Sequence, residues 1–217
     1  MVTFLIGNGF DKQVGLKTGY TDFYKVYTEV RNDDSKNIRR FKREILKSEA
    51  HNWSNWADFE LQMGRHTSSF DGDTPIEDFI ECFSDFVVHF NRYLMEECTR
   101  VNWSDNDIVN MSEQFRTSII KFYQFILSAK NEGFPDLIGF KTVFNFLQFN
   151  YTDVFDKLLE LSGFTRNRLL AKQKGTAELG QNLHVHGTMN GGYPTMGVND
   201  ESQIANPSFR SNPRHRS

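Results

Sequence analysis

Gly7-Asn8-Gly9 stands directly behind a short apolar run, Val2-Thr3-Phe4-Leu5-Ile6, and Phe10-Asp11 follow it. Glycine lets a backbone approach a phosphate or a ribose closely, and a helix starting there offers N–H groups to an anion. The third glycine of a G-x-G-x-x-G fingerprint is missing, because Lys12 occupies its place. A tight turn with Asn8 in a left-handed conformation explains the same residues equally well. Asn150 closes a second apolar run, Thr142 to Phe149, ahead of Tyr151-Thr152-Asp153. It either caps the helix that follows, as Thr152 or Asp153 could, or holds a ribose hydroxyl or a water. His184 and His186 are two residues apart, so on a strand they share a face. That spacing permits a metal, but no cysteine lies nearby and the acids are scattered, so no metal site is expected. His186 before Gly187 suits an exposed general base, since an imidazole titrates near neutral pH. The competing expectation is that one or both imidazoles pack in a sheet with their nitrogens satisfied.

These residues need elements to hold them. Val2 to Ile6, Thr142 to Phe149 and Leu183 to Gly187 read as strands, each ending in a polar turn. A fourth short strand is expected over Thr195 to Val198. If the sheet is parallel, ligands bind where the strands' carboxyl ends converge, and Asn8, Asp11, Asn150, Asp153, His184 and His186 meet at one rim. The long helical stretch between the first two strands supports that, because parallel pairing needs a crossover. Within that stretch, helices are expected near Thr21 to Arg31, Ser35 to Ala50 and Trp53 to Arg65. Two longer ones run from Thr74-Pro75-Ile76-Glu77 and from Asp105 to Lys130, with apolar residues at helical spacing, and they are expected to pack face to face. Val154 to Leu161 marks a further helix, closed by Gly163. The fold class is therefore α/β, with a large mainly helical insertion between the first strand and the later ones. A single domain over 1–217 is expected, with a strand core at about 1–20 and 140–200, an insertion at about 21–135 and a polar tail at 205–217. The tail's lack of periodicity suggests a chain cut short from a longer protein.

Composition bounds the chemistry. The chain has 217 residues, 38% hydrophobic and 24% charged, which is globular rather than disordered. No run approaches the roughly 18 apolar residues of a membrane span, and the start lacks a secretory signal. A formal charge of −3 argues against bulk nucleic-acid binding. Cys82 and Cys98 are the only cysteines, which excludes a disulfide scaffold and fits a reducing cytoplasm. Arg39 to Lys47 forms a basic stretch that could meet nucleic acid, but a solvated helix face is the commoner outcome, and no aromatics interleave to stack bases. Trp56 and Phe59 are expected in the core; Asp58 and Glu60 could reach the rim.

The opening Phe4-Leu5-Ile6-Gly7-Asn8-Gly9-Phe10-Asp11, followed by Gly15-Leu16-x-Thr18-x-Tyr20-x-Asp22-Phe23, resembles the bacteriophage abortive infection AbiH family. Trp56-x-Asp58-x-Glu60, Phe149-Asn150-Tyr151-Thr152, His184-x-His186-Gly187 and Met196-Gly197-Val198-Asn199-Asp200 continue the resemblance in order, from Val2 to about Asp200. The family is in turn similar to the sirtuin-like NAD-hydrolysing domains of bacterial defence systems. That similarity implies a Rossmann-like, sirtuin-related sheet, with Gly7 and Gly9 as the glycine turn, Asn150 as the catalytic asparagine and His186 as the catalytic histidine. Asn8, Phe10, Asp11, Tyr151, Asp153, His184 and Gly187 are expected around a bound nucleotide. Asn-Tyr-Thr-Asp is one residue longer than the relatives' Asn-Tyr-Asp, so Asp153 matches poorly. Asn8 and Phe10-Asp11 also depart from the sirtuin glycine turn, and the zinc cysteines of the deacetylases are missing.

The expected function is anti-phage abortive infection, with NAD or a related nucleotide as substrate, cleaved at the nicotinamide–ribose bond. The expected setting is cytoplasmic, with no membrane and no nucleic acid, a phage-derived trigger and a second copy of the chain as candidate partner. A nucleotide sensor that does not turn over its ligand is the alternative, and a nucleic-acid-targeting toxin acting through Arg39 to Lys47 is the third.

Overall fold

The computed structural model describes residues 1–51, 53–54, 58–133, 141–164, 176–191, 195–197 and 200–210. Trp56, Val198, Asn199 and the tail beyond 210 lie outside the described residues. The elements run β1 (Val2–Ile6), α1 (Gly9–Gln13), α2 (Tyr20–Tyr27), α3 (Lys36–Leu46), α4 (Phe59–His66), α5 (Pro75–Thr99), α6 (Asn106–Gly133), β2 (Lys141–Gln148), α7 (Val154–Leu161), β3 (Thr176–His184) and α8 (Pro207–Arg210). The fold is α/β, with a three-stranded sheet in the order β1-β2-β3. Both strand pairs are parallel, as the intervening helices require. β3 starts at Thr176, seven positions before the expected Leu183. Residues 195–197 form no strand. The chain divides into two compact units, 1–16 with 97–190 and 17–96 with 191–217.

In the first unit, strand alternation sends Phe4, Phe144 and Phe146 to one face of the sheet. There they pack with Phe115, Ile119 and Tyr123 of α6, Phe155 and Leu159 of α7, and Phe164. Phe146 and Phe155 have ring centroids 5.0 Å apart, and Phe10 meets Phe155 edge-on at 4.9 Å. Full burial of each such ring contributes about 1.5–3 kcal/mol. The opposite face differs from the sequence expectation. The apolar run at Val2–Ile6 implies cover on both faces, yet Leu5 is 70% exposed and Leu183 47%. Leu5, Leu147 and Leu183 stand in register across that open face. β2 and β3 slip register between Phe144 and Phe146, and there the Gln181 backbone N–H donates to Asn145 Oδ1 at 2.8 Å. Only glycine fits beside it, because a Cβ at Gly180 would collide with Asn145 Oδ1 and come within 2.5 Å of Val143 Cγ1.

The second unit is helical and has its own aromatic core. Ser35 Oγ caps α3 by accepting from the Ile38 N–H at 3.2 Å, and Asp58 caps α4 through the Leu61 N–H at 3.0 Å. α5 begins at Pro75 as expected, and the Thr74 hydroxyl donates to Asp78. Phe59 stacks on Phe86 of α5 at 3.6 Å, and Phe23 meets Phe86 and Phe90 at 5.1 Å. The described ring contacts of α5 belong to this core, and those of α6 to the core of the first unit. The basic stretch of α3 is not a uniformly solvated face either. Lys42 is 1% exposed and donates to Asp34 Oδ2 and to the Glu29 carbonyl, both at 2.8 Å. Arg31 bridges Asp34 at 3.0 Å and Asp85 at 2.8 Å, and the Tyr27 hydroxyl donates to Asp85 at 2.8 Å. Burial works against the Asp34 charge, but Lys42 and Arg31 outweigh it and hold its carboxyl below the usual range.

Candidate functional site

The register brings the three strand ends level. Ile6 pairs with Gln148, and Gln148 with His184. The ladder runs one residue further into each turn: the Phe149 N–H donates to the Ile6 carbonyl and the Val185 N–H to the Gln148 carbonyl, both at 2.8 Å. Gly7-Asn8-Gly9, Asn150 and His186 therefore follow at one edge of the sheet, where parallel α/β sheets hold ligands.

Asn150 is 2% exposed and Asp11, carried by α1, is 1% exposed. The Asn150 Nδ2 donates to Asp11 Oδ1 at 2.9 Å, and the Thr152 hydroxyl donates to the same oxygen at 2.9 Å. Asn150 Oδ1 is enclosed and makes no hydrogen bond. Asn150 is not the cap of α7; Asp153 occupies that position, without a side-chain cap bond. Asp153 Oδ2 accepts from Asn190 at 3.0 Å and pairs with Lys157 at 3.2 Å, while its Oδ1 is enclosed and unpartnered. Gln148 repeats the pattern. Its Nε2 donates to Asn182 Oδ1 at 2.8 Å and reaches Asp156 at 3.3 Å, and its Oε1 has no partner. Three buried acceptor oxygens thus remain unsatisfied between Gln148 and Asp153. A buried polar atom without a partner is costly, and one at a strand end calls for a water or a ligand.

The two histidines take different places. His184 is the last residue of β3, with Nε2 2.9 Å from Asp156 Oδ2 and Nδ1 3.5 Å from the Asn150 carbonyl. The hydrogen bond to Asp156 pushes its pKa above the ordinary histidine value, against the opposing effect of burial. Burial works against the Asp156 charge too, but His184 and Gln148 hold that carboxyl below the usual range. His186 lies two residues beyond the end of β3, in the turn, so the two imidazoles do not share a strand face. It is half-buried, with its ring 6.0 Å from Phe149 and 5.9 Å from Tyr151. Gly187 follows at φ +74°, which a side chain rarely adopts. The Met189 N–H donates to the Tyr151 carbonyl at 2.9 Å and ties the two turns together.

Asn8 has φ −55° and ψ −17°, a right-handed conformation, so the left-handed alternative is not the one adopted. The Phe10 N–H donates to the Gly7 carbonyl at 3.0 Å, closing the turn into α1. Neither Gly7 nor Gly9 has a positive φ, and a Cβ on either would meet nothing within 4 Å. Asp58 and Glu60 serve the second unit: Asp58 caps α4, and Glu60 accepts from the Tyr20 hydroxyl at 2.6 Å. Burial raises the Cys98 thiol to about 12, with Asp153 and Asp11 adding to the effect, so it is protonated at neutral pH and unsuited to nucleophilic attack. Among the described residues no group of three or more His, Cys, Asp or Glu is arranged to hold a metal. No described helix is long and apolar enough to cross a membrane.

Sequence reasoning missed Thr152, Asp156, Gln148 and Asn182 as parts of this site. A signal existed for two of them. Gln148 occupies the buried-face register of Phe144 and Phe146, and Asn182 shares a face with His184 by the two-residue period. Polar residues at core-facing strand positions need partners, and Asp156 is the partner. A separate polar pocket of about 490 Å³ in the second unit, lined by Lys47, His51, Arg65 and His66 among others, contains none of the strand-end residues.

The sequence matches, over residues 3–212, the family model described as Bacteriophage abortive infection AbiH. No curated protein and no solved structure matches it.

Proposed function

The chain belongs to the bacteriophage abortive infection AbiH family, and on that premise we propose that its strand-end rim binds NAD or a related nucleotide and hydrolyses the nicotinamide–ribose bond. The observation that carries this is the buried, unpartnered Oδ1 of Asn150, held just beyond the central strand in the turn whose Tyr151 ring stands 5.9 Å from that of His186. Gly7 and Gly9 add to it. No described neighbour crowds either glycine, so the backbone there is open to close approach by an outside group.

In this mechanism Asn150 Oδ1 accepts a hydrogen bond from a ribose hydroxyl or from the attacking water. His186 takes the proton from that water as its oxygen bonds to the anomeric carbon. The N-glycosidic electron pair leaves with nicotinamide, which neutralises the pyridinium, and ADP-ribose and a proton are the other products. The glycine turn lies against the diphosphate. Phe149 and Tyr151 flank the imidazole and limit its rotation. Because Asn150 Oδ1 is enclosed, the turns part when a ligand enters. The setting is cytoplasmic, where NAD is plentiful, and a phage product relieves the closed state.

The test is nicotinamide release from NAD by the purified chain, beside His186→Ala and Asn150→Ala. Release by the wild type and its loss in both variants supports the hydrolase. NAD that binds without turnover moves the site to a sensor. Of the basic stretch, Lys42 is committed to a buried ion pair, while Arg39, Arg40, Arg43 and Lys47 are exposed.

A further inference from the structure

We infer that Asp11 is a positioning residue that fixes the polarity of the Asn150 amide, so that this point of the rim accepts hydrogen bonds and takes a hydroxyl-bearing group rather than an anion. The inference rests on the proposed nucleotide site and says which part of the ligand lies there.

The geometry is specific. An asparagine amide offers donors on one side and an acceptor on the other, and either could face a ligand. Here the donor side is committed: Nδ2 lies 2.9 Å from Asp11 Oδ1, which is an acceptor for a second donor, the Thr152 hydroxyl, at the same distance. Turning the amide over would set Asn150 Oδ1 against the carboxylate, two acceptors in contact in a buried place. Asp11 therefore excludes that state. The same arrangement recurs two residues earlier, where Asn182 and Asp156 take the donors of Gln148 and leave its Oε1 unpartnered. Asp153 has its second oxygen engaged by Asn190 and Lys157, and again an oxygen is left. Every unpartnered atom at the end of β2 is thus an acceptor. Phosphate oxygens are acceptors as well and gain nothing from such a surface; sugar hydroxyls and water are donors and complement it. The ribose belongs at Asn150 and the diphosphate elsewhere.

Three measurements on the purified full chain test this. The first is the side-chain amide resonance of Asn150 by ¹⁵N NMR. A carboxylate bond should shift one amide proton downfield and slow its exchange, and Asp11→Ala, which removes the acceptor, should abolish both effects. The second is NAD turnover. A misplaced catalytic group costs on the order of 100-fold, so Asp11→Ala should lower kcat by about that factor with KM within about threefold. The third guards against simple unfolding: Thr152→Val removes the second donor to the same carboxylate and should lose about tenfold, and the conservative Thr152→Ser, which restores the hydroxyl, should recover that loss. An Asn150 amide indifferent to Asp11→Ala, or an Asp11→Ala variant active within about twofold of wild type, overturns the inference. Should the wild type not turn NAD over, the proposed hydrolase falls, and the amide resonance alone decides whether Asp11 sets the polarity.

Discussion

The helical unit and the sheet unit both bury charged and polar side chains, but they complete them differently. In the helical unit Lys42, Asp34, Arg31, Asp85 and Tyr27 close onto one another, and Lys42 is further satisfied by a backbone carbonyl. Among the described residues there, the buried unpartnered atoms, Trp53 Nε1 and Asn91 Oδ1, are isolated from one another. At the end of β2, by contrast, Gln148, Asn150 and Asp153 each spend part of their capacity inward and leave an oxygen over. A closed network is what a fold needs to tolerate buried charge. An incomplete one, concentrated on a few residues at a sheet's carboxyl edge, is what a binding site looks like before its ligand arrives.

The contrast is breakable by substitution. Lys42→Met leaves Asp34 and the Arg31 cluster without their central cation, and should cost about 3–5 kcal/mol in urea unfolding. A loss below about 1 kcal/mol would mean that the network is not closed as described. Gly180→Ala adds a methyl group where Asn145 and Val143 already stand, and should cost about 1–3 kcal/mol in the same assay. It tests whether the register slip that aligns His184 with Gln148 is as tight as the geometry says. Asn150→Ala removes one hydrogen bond and one unpartnered oxygen, so its stability cost should be about 1 kcal/mol or less. A cost as large as that of Lys42→Met would make Asn150 structural.

The smallest effect is a difference of sign with pH. The His184 pKa is raised by Asp156, so its stabilising contribution is complete below the unfolded value of about 6.5 and fades as pH rises through the folded value. Asp156, with its pKa lowered, contributes above about 3.9 and loses this as pH falls through its folded value. His66, in the helical unit, is pushed down to about 4 by burial, so stability there falls as pH drops from about 6.5 toward 4. Hydrogen exchange followed peptide by peptide should show protection of β3 and α7 weakening on the alkaline side, and that of α4 weakening on the acid side. His184→Gln should flatten the first profile alone.

Much of this was legible in the sequence, for reasons that can be traced. The bounds of β1, β2 and α7 follow from apolar runs closed by turn residues, and the α5 start from Thr74-Pro75. The meeting of Asn150, Asp11 and the His184 turn at one edge follows from parallel pairing alone. The early part of β3 escaped because Glu178, Gly180, Gln181 and Asn182 carry no apolar alternation; they serve the bulge and the Asp156 network instead. Lys42 escaped because a lysine inside a basic run looks solvated, and only Asp34, eight residues upstream, makes it buried. Asn8 escaped because asparagine between glycines suits either hand of helix. The open apolar face of the sheet was hidden by β1 itself, whose largely apolar run has the look of a buried strand.

The central claim is that the incomplete network at the strand ends is an active site. Cellular NAD, measured by mass spectrometry through a phage infection in cells carrying the wild type or His186→Ala, tests it most directly. The account predicts that NAD collapses with the wild type and holds with the variant, and that protection is lost together with the collapse. Protection that persists in His186→Ala cells while NAD stays level in both would contradict it.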